Sequence, residues 1–235
     1  MAAASFVGSG YRFQCGAVFT VTLAGIEKVL YGFRKRTNGH FPRAGLIHVG
    51  RRLYGTTERG GSYPCDPHRG CGTVFSVTTG GKERTLYAFG SGNDGRFPQA
   101  GLIELNGMFY GTTAGGGSYP CNGFQGCGTV FSITVNGAEK VLHSFGRGSD
   151  GSTPQASLID VNGTLYGTTS SGGTSGSGTV FSISTTGKEK VLHSFGSGSD
   201  GSTPRASLID VKGTLYGTTN LGGTHGNGTV FALIP

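Results

Sequence analysis

The stretch SLIDVNGTLYGTTSSGGTSGSGTVFSIS (157–184) returns fifty residues later as SLIDVKGTLYGTTNLGGTHGNGTVFALI (207–234), and diverged copies begin at Gly101 and Gly45. The string G[TA]VF starts at Gly16, Gly72, Gly128, Gly178 and Gly228, so its spacings are 56, 56, 50 and 50 residues. A chain of near-copies this long folds as a row of equivalent units that bury against one another.

Three further segments recur between the G[TA]VF copies. EKVLHSF stands at 189–195 with cousins at 27–33, 83–89 and 139–145, PRASLIDV (204–211) has partners from Pro42, Pro98 and Pro154, and LYGTT or FYGTT occurs at 53–57, 109–113, 165–169 and 215–219. All are short, rich in Val, Ile, Phe, Tyr and Thr, and bounded by Gly, Asn, Asp or Pro, which is strand chemistry without a 3.6-residue period. We label them A (Pro-led), B (LYGTT), C (GTVF) and D (VLHSF). The A–B link carries Asn-Gly and suits a tight hairpin, as does TTGKEK between C and D. Four antiparallel strands per unit of about 50 residues predict an all-β propeller, since β-helix rungs are much shorter. Alternating strand direction puts the D–A and B–C loops on one face and the two hairpins on the other.

The expected domain is single, residues 1–235, with repeats near 16–71, 72–127, 128–177 and 178–227 and a closing strand at 228–235. The last unit reads A-B-C, so the D segment 27–33 is expected to complete a four-bladed ring closed by the chain ends. That leaves strand 16–22 surplus. The alternatives are five blades, one of them incomplete with SFVGS (5–9) as a worn B strand, or pairing of 16–22 with another subunit in a homo-oligomer.

The consensus GTVFsi…G.EkvLhsFg.g.DG..P.asLid..G.LYGTT..GG closely resembles the GloVer tandem repeat of bacterial proteins, over residues 16–235, and the blade order is similar to the NHL type of propeller repeat. The resemblance implies proteins that are often secreted or surface-anchored, hence an extracytoplasmic or cell-surface location. MAAASFVGSG itself has neither the basic start nor the apolar segment of a secretory signal. The resemblance carries no catalytic residues onto this chain.

Glycine is 47 of 235 residues and charged residues only 13%, yet β-branched and aromatic residues recur at fixed places, which argues against disorder. No apolar run is long enough to span a bilayer. Residues 1–70 hold ten Lys/Arg against three acids, so the whole net charge of +7 sits in the first repeat and its flanks. Such asymmetry suits a polysaccharide or an acidic surface as partner, or is simply a solvated basic face. Arg34, Lys35 and Arg36 form the candidate anionic-partner patch. Nucleic acid is disfavoured because the basic run lacks interleaved stacking aromatics.

Cysteine gives the clearest chemical signal. YPCDPHRGC and YPCNGFQGC place Cys65 with Cys71 and Cys121 with Cys127 inside a six-residue insertion of the B–C loop, and units without the insertion lack both cysteines. Gain and loss together point to a disulfide in each loop, with free thiols or a metal as the other readings. Only His68 stands near as a further metal ligand, so no metal and no cofactor are expected. Cys15 aligns with Cys71 and Cys127, while its partner position holds Ser9. In the D–A loops, Asp94, Asp150 and Asp200 either bind sugar hydroxyls or a cation, or shape an Asp-Gly turn. His48, Glu104, Asp160 and Asp210 share one position at the end of strand A, where they either ring the axis or cap the hairpin. His143 and His193 stand where other units have Tyr31 and Tyr87, an outer-strand position expected to face the neighbouring blade or solvent.

The chain contains no G-x-S-x-G elbow, Walker loop, H-E-x-x-H or dinucleotide fingerprint. Catalysis needs one asymmetric constellation, whereas near-identical units suit multivalent binding. The expected function is therefore a non-catalytic ligand-binding propeller, a carbohydrate or surface-interaction module. Its candidate ligand-binding residues are Arg59, Tyr63, His68, Arg69, Asp94, Tyr119, Phe124, Asp150 and Asp200. The alternatives are a hydrolase of a polysaccharide or ester, with its site on the B–C/D–A loop face where repeats differ, and a structural or assembly module.

Overall fold

The structure is a computed structural model that describes residues 15–34, 37–65, 70–121 and 126–235, together with the backbone of residues 2–4. Every regular element among them is a β-strand. Three sheets follow the expected order A-B-C-D, all antiparallel. They are Ile47–Val49, Arg52–Thr57, Thr73–Thr78 and Glu83–Ala88; then Ile103–Leu105, Met108–Thr113, Thr129–Thr134 and Glu139–Ser144; then Ile159–Val161, Thr164–Thr169, Thr179–Ser184 and Glu189–Ser194. A fifth sheet holds Ile209–Val211, Thr214–Leu221 and Val230–Leu233, and a first one Ala2–Ala4, Ala17–Val21 and Glu27–Gly32. Among the described residues no helix is long and apolar enough to cross a membrane.

One pairing differs from expectation. Glu27–Gly32 does not close the ring on the fifth sheet but pairs with Ala17–Val21, in the register Ala17 to Gly32 and Val21 to Glu27. The C-like copy at 16–22 is thus not surplus; it is the hairpin neighbour of its own D strand, the arrangement of every complete sheet. The stretch 228–235 supplies the C strand of the fifth sheet, paired only to Thr214–Leu221 among the described residues.

The A–B hairpins turn as their Asn-Gly pairs require: Asn106 and Gly107 have φ of 54° and 78°, Asn162 and Gly163 of 53° and 82°, and Lys212 and Gly213 repeat the turn. Each C–D pair carries a bulge at the Val-Phe step, between Val18 and Phe19, Val74 and Phe75, Val130 and Phe131, and Val180 and Phe181. The extra D residue reverses the alternation, so Leu86 and Tyr87 both pack toward the next sheet. The core lies between sheets. At four successive junctions a D-strand Phe meets a C-strand Phe edge-on, Phe33 with Phe75, Phe89 with Phe131, Phe145 with Phe181 and Phe195 with Phe231, at centroid distances of 5.0–5.1 Å. The glycine of LYGTT makes room for this ring: a Cβ on Gly111 would lie 2.6 Å from Phe131 Cζ.

Neighbouring A strands touch one another, which sets them innermost, and the Gly101 N–H donates to Ser157 Oγ across two sheets at 2.9 Å. The D–A loops then stitch sheets together. Phe41, Phe97, Thr153 and Thr203 all have φ of 57–60° although none is glycine. Their N–H groups donate to the carbonyls of Cys15, Cys71, Cys127 and Ser177, and the first three accept at their own carbonyls from Glu58, Ala114 and Ser170. One bond to the preceding sheet at each of the four residues, joined at the first three by one to the B–C loop of their own sheet, offsets a backbone cost of about 1 kcal/mol or more.

Candidate functional site

The D–A and B–C loops share one face, as the topology requires: Gly95–Arg96 pairs with Gly115–Gly116, and His40 bridges to Arg59 and Ser152 to Ser171. On this face each loop aspartate is spent on its own loop and on the D strand that leads into it. Asp94 accepts the Gly90 N–H at 2.9 Å and the Tyr87 hydroxyl at 2.8 Å. Asp150 accepts the Gly146 N–H and meets His143 Nε2, both at 2.9 Å, and Asp200 repeats this with Gly196 and His193. The turn reading of the Asp-Gly motif therefore describes their bonding. His143 and His193 stack edge-on to Phe145 and Phe195 of their own strands.

A residue set missed at the sequence level completes this arrangement. The glutamate that opens strand D of one sheet reaches back to the dyad of the sheet before. Glu83 Oε2 accepts from Asn38 at 2.9 Å, and Asn38 also donates to the Tyr31 hydroxyl. Glu139 faces Tyr87 and Asp94, while Glu189 faces His143 and Asp150. Burial, then the neighbouring aspartate, pushes Glu139 up to about 7. Glu189 is likewise pushed up to about 7 by burial, with His143 opposing and Asp150 adding to the shift. Asp94 is raised by burial against the lowering pull of its donors, and Tyr87 is raised by burial and its bond to Asp94. Such a site holds a proton near neutrality between two sheets.

The first complete sheet carries the asymmetric feature of the face. Glu58, buried where other units have Ala114, Ser170 and Asn220, is ion-paired with Arg43 and accepts from Gln99 Nε2 of the next sheet at 3.2 Å. Arg59 lies 4.0 Å from the same carboxylate and covers the Phe97 ring at 4.1 Å from its centroid.

In the B–C loops the pairs Cys65–Cys71 and Cys121–Cys127 are both disulfides, with Cα atoms 5.0 Å apart. Tyr63 is 42% exposed, and Tyr119 is half-buried against the core that contains Cys127. Cys15 forms no disulfide, and burial raises its thiol. Arg34 is exposed, whereas Lys35, Arg36, His68, Arg69, Phe124 and Ser9 lie outside the described residues. The axial carboxylates cap their hairpins: Glu104, Asp160 and Asp210 accept from Gly107, Gly163 and Gly213 at 2.6–3.0 Å. Among the described residues no three His, Cys, Asp or Glu side chains converge on a metal position.

No curated protein matches the chain. Among solved structures, it is similar to a gluconolactonase from Xanthomonas campestris at 16% identity and TM-score 0.54, covering 93% of this chain and 68% of the other. It is also similar to a luciferin-regenerating enzyme at 13% identity and TM-score 0.53 (99% and 76% covered), and to a Bombyx mori β-fructofuranosidase at 14% and 0.52 (97% and 55% covered). The chain thus spans between half and three quarters of the length of these neighbours, and likeness at such identity establishes a β-propeller fold alone. The model of the Gloeobacter/Verrucomicrobia repeat matches residues 5–122 and 119–235, so the chain belongs to that repeat family.

Proposed function

We propose that this propeller is an extracytoplasmic ligand-binding module that takes a carbohydrate or a cell surface on its D–A/B–C loop face. The observation that carries this reading is how the loop face divides its polar groups. Asp94, Asp150 and Asp200 each spend one carboxylate oxygen on a glycine N–H of their own D–A loop and the other on Tyr87, His143 or His193 of the preceding D strand, which ties the loop to the sheet. Exposed Tyr63 stands in a B–C loop tied by a disulfide, and the largely exposed Arg43, ion-paired with Glu58, precedes the A strand of the same sheet. Rigid aromatic and cationic groups suit stacking on sugar rings and contact with acidic groups, and repeated weak sites on one body raise avidity. Two disulfides in so short a chain favour an oxidising compartment.

A hydrolase is the second reading, supported by the asymmetry of Glu58 with Arg43, Arg59 and Gln99. One experiment separates the two: the protein is incubated with insoluble and soluble polysaccharides, acidic ones included, while its depletion and newly released reducing ends are followed at low and high salt. Depletion without product, weakened by Tyr63→Ala and by salt, is the expected result. Product release abolished by Glu58→Gln would replace the binding reading with the hydrolytic one.

A further inference from the structure

Residues 71–235 hold nine Lys/Arg and nine Asp/Glu, so by composition they are neutral. The fold separates the two signs by radius. The D strands form the outer edge of the sheets, opposite the innermost A strands. Each opens on a Glu-Lys or Glu-Arg pair, and strand alternation sends these two side chains to opposite faces. In the three complete sheets the acid is half-buried in the joint with the sheet before: Glu83 accepts from Asn38 and Thr85, Glu139 faces Tyr87 and Asp94, and Glu189 faces His143 and Asp150. Burial holds Glu139 and Glu189 up to about 7, so at neutral pH they carry only part of their charge. The cations turn outward. Lys28, Arg84, Lys140 and Lys190 are all exposed and stand at one register, opposite Thr20, Ser76, Ser132 and Ser182 of strand C. Lys82 and Lys188, at the C–D hairpins, are exposed beside them. Of the four D-strand glutamates only Glu27 is exposed. The remaining acids of residues 71–235 lie off the rim. Asp94, Asp150 and Asp200 are bonded in the D–A loops, and Glu104, Asp160 and Asp210 cap hairpins at the innermost strands.

We propose that this outer edge is a docking surface for a linear acidic polysaccharide, whose carboxylate or sulfate groups pair with Lys28, Arg84, Lys140 and Lys190 on successive sheets. Charge complementarity carries the proposal, and the geometry selects the partner. Sheets that radiate from their A strands point these four cations in different directions. A flat membrane would meet one or two sheets at a time, whereas a flexible chain can follow the edge from sheet to sheet. Nucleic acid finds no platform here. Tyr31 and Tyr87, the tyrosines of these strands, are half-buried with their hydroxyls bonded to Asn38 and Asp94, which leaves them unable to stack on bases. Each exposed ion pair contributes little by itself, and affinity comes from linking several along one polymer. The inference is independent of what the loop face binds, because the rim cations belong to the outer strands and not to the D–A or B–C loops.

Labelled sodium polygalacturonate and dextran sulfate, titrated with the full chain and followed by fluorescence anisotropy, should bind saturably and more weakly as salt rises. Packed sheets lie about 10 Å apart, farther than the carboxylates of a digalacturonate can reach, so that short acid should compete at least about a hundredfold more weakly. Arg84→Gln, Lys140→Gln and Lys190→Gln together should weaken binding at least about tenfold. All three sites are exposed, and an unchanged melting temperature confirms that the variant is folded. A second triple variant, Arg147→Gln, Arg205→Gln and Lys212→Gln, removes the same charge away from the rim and should cost less than about threefold. Equal losses in the two triples would reduce the effect to net charge, and a larger loss in the second would move the site off the rim; either overturns the proposal. So would equal binding of neutral dextran, or no binding of either polyanion at low salt. Tighter binding of single-stranded DNA or of phosphatidylglycerol vesicles, lost in the first triple, would replace the polysaccharide with that partner.

Discussion

Glu139 and Glu189 make stability depend on pH in the direction opposite to an ordinary ion-paired carboxylate. Each has its folded pKa raised from 4.5 to about 7, because the sheet packing buries it beside Asp94 or Asp150. The folded state therefore binds the proton more tightly than the unfolded chain. The stabilisation is complete below pH 4.5 and is lost as pH rises through 7. A shift of that size corresponds to about 3 kcal/mol for a fully buried group; both glutamates are partly solvated, which cuts this to about 1 kcal/mol each. For a chain of this size the pair is worth about 4–8 °C in melting temperature between the ends of that window. The perturbation is Glu139→Gln with Glu189→Gln, a neutral isostere that keeps the amide in place of the protonated acid. The double variant should match wild type at acid pH and exceed it by about 2 kcal/mol at pH 8, measured by urea unfolding at each pH. Taking the difference between the two proteins cancels the titrating groups that lie away from the two glutamates. Parallel curves from pH 4.5 to 8 would refute the reasoning, since the two carboxyls would then ionise alike in the folded and unfolded chains.

Three further outcomes follow from the geometry. Gly151→Ala should destabilise the chain by about 2–4 kcal/mol in chemical denaturation, because its φ is +100° and a Cβ would sit 2.3 Å from Thr169 Oγ1. Reduction of Cys65–Cys71, or its double Ser variant, should cost about 2 kcal/mol, the loop entropy of so short a closure, and an unchanged urea midpoint would contradict it. Asp150→Ala strands the Gly146 N–H and frees the His143 ring; a loss of about 1–3 kcal/mol with faster amide exchange at Gly146 is expected, and unchanged exchange at Gly146 would count against the turn role of this residue.

What could be read from the sequence was what repeats along it. LYGTT, GTVF and VLHSF mark strands because their residue types and bounding glycines act locally, and the six-residue insertions that gain two cysteines in two units mark the disulfides. The pairing of Glu27–Gly32 differs from the four-bladed closure, and agrees with strand 16–22 belonging to a further incomplete blade, because a D strand is interchangeable by composition: nothing in EKVLYG distinguishes a partner ten residues back from one at the other end of the chain, and the short hairpin wins on loop entropy. The interface glutamates were invisible for another reason. Glu139 opens a strand after a glycine turn and looks like a solvated hairpin residue, yet Asp94, 45 positions earlier, belongs to the same cluster as Asn38 does with Glu83. That meeting depends on the bulge at Val74 and Phe75, which turns Tyr87 toward the next sheet, and on the sheet-to-sheet packing, neither of which a single strand encodes. In a repeat protein the local pattern specifies the unit, while the joints between units carry the titrating groups and the strained Phe97 and Thr153 backbones. The joints are where this chain departs from a mere row of copies, and where its pH response is to be sought.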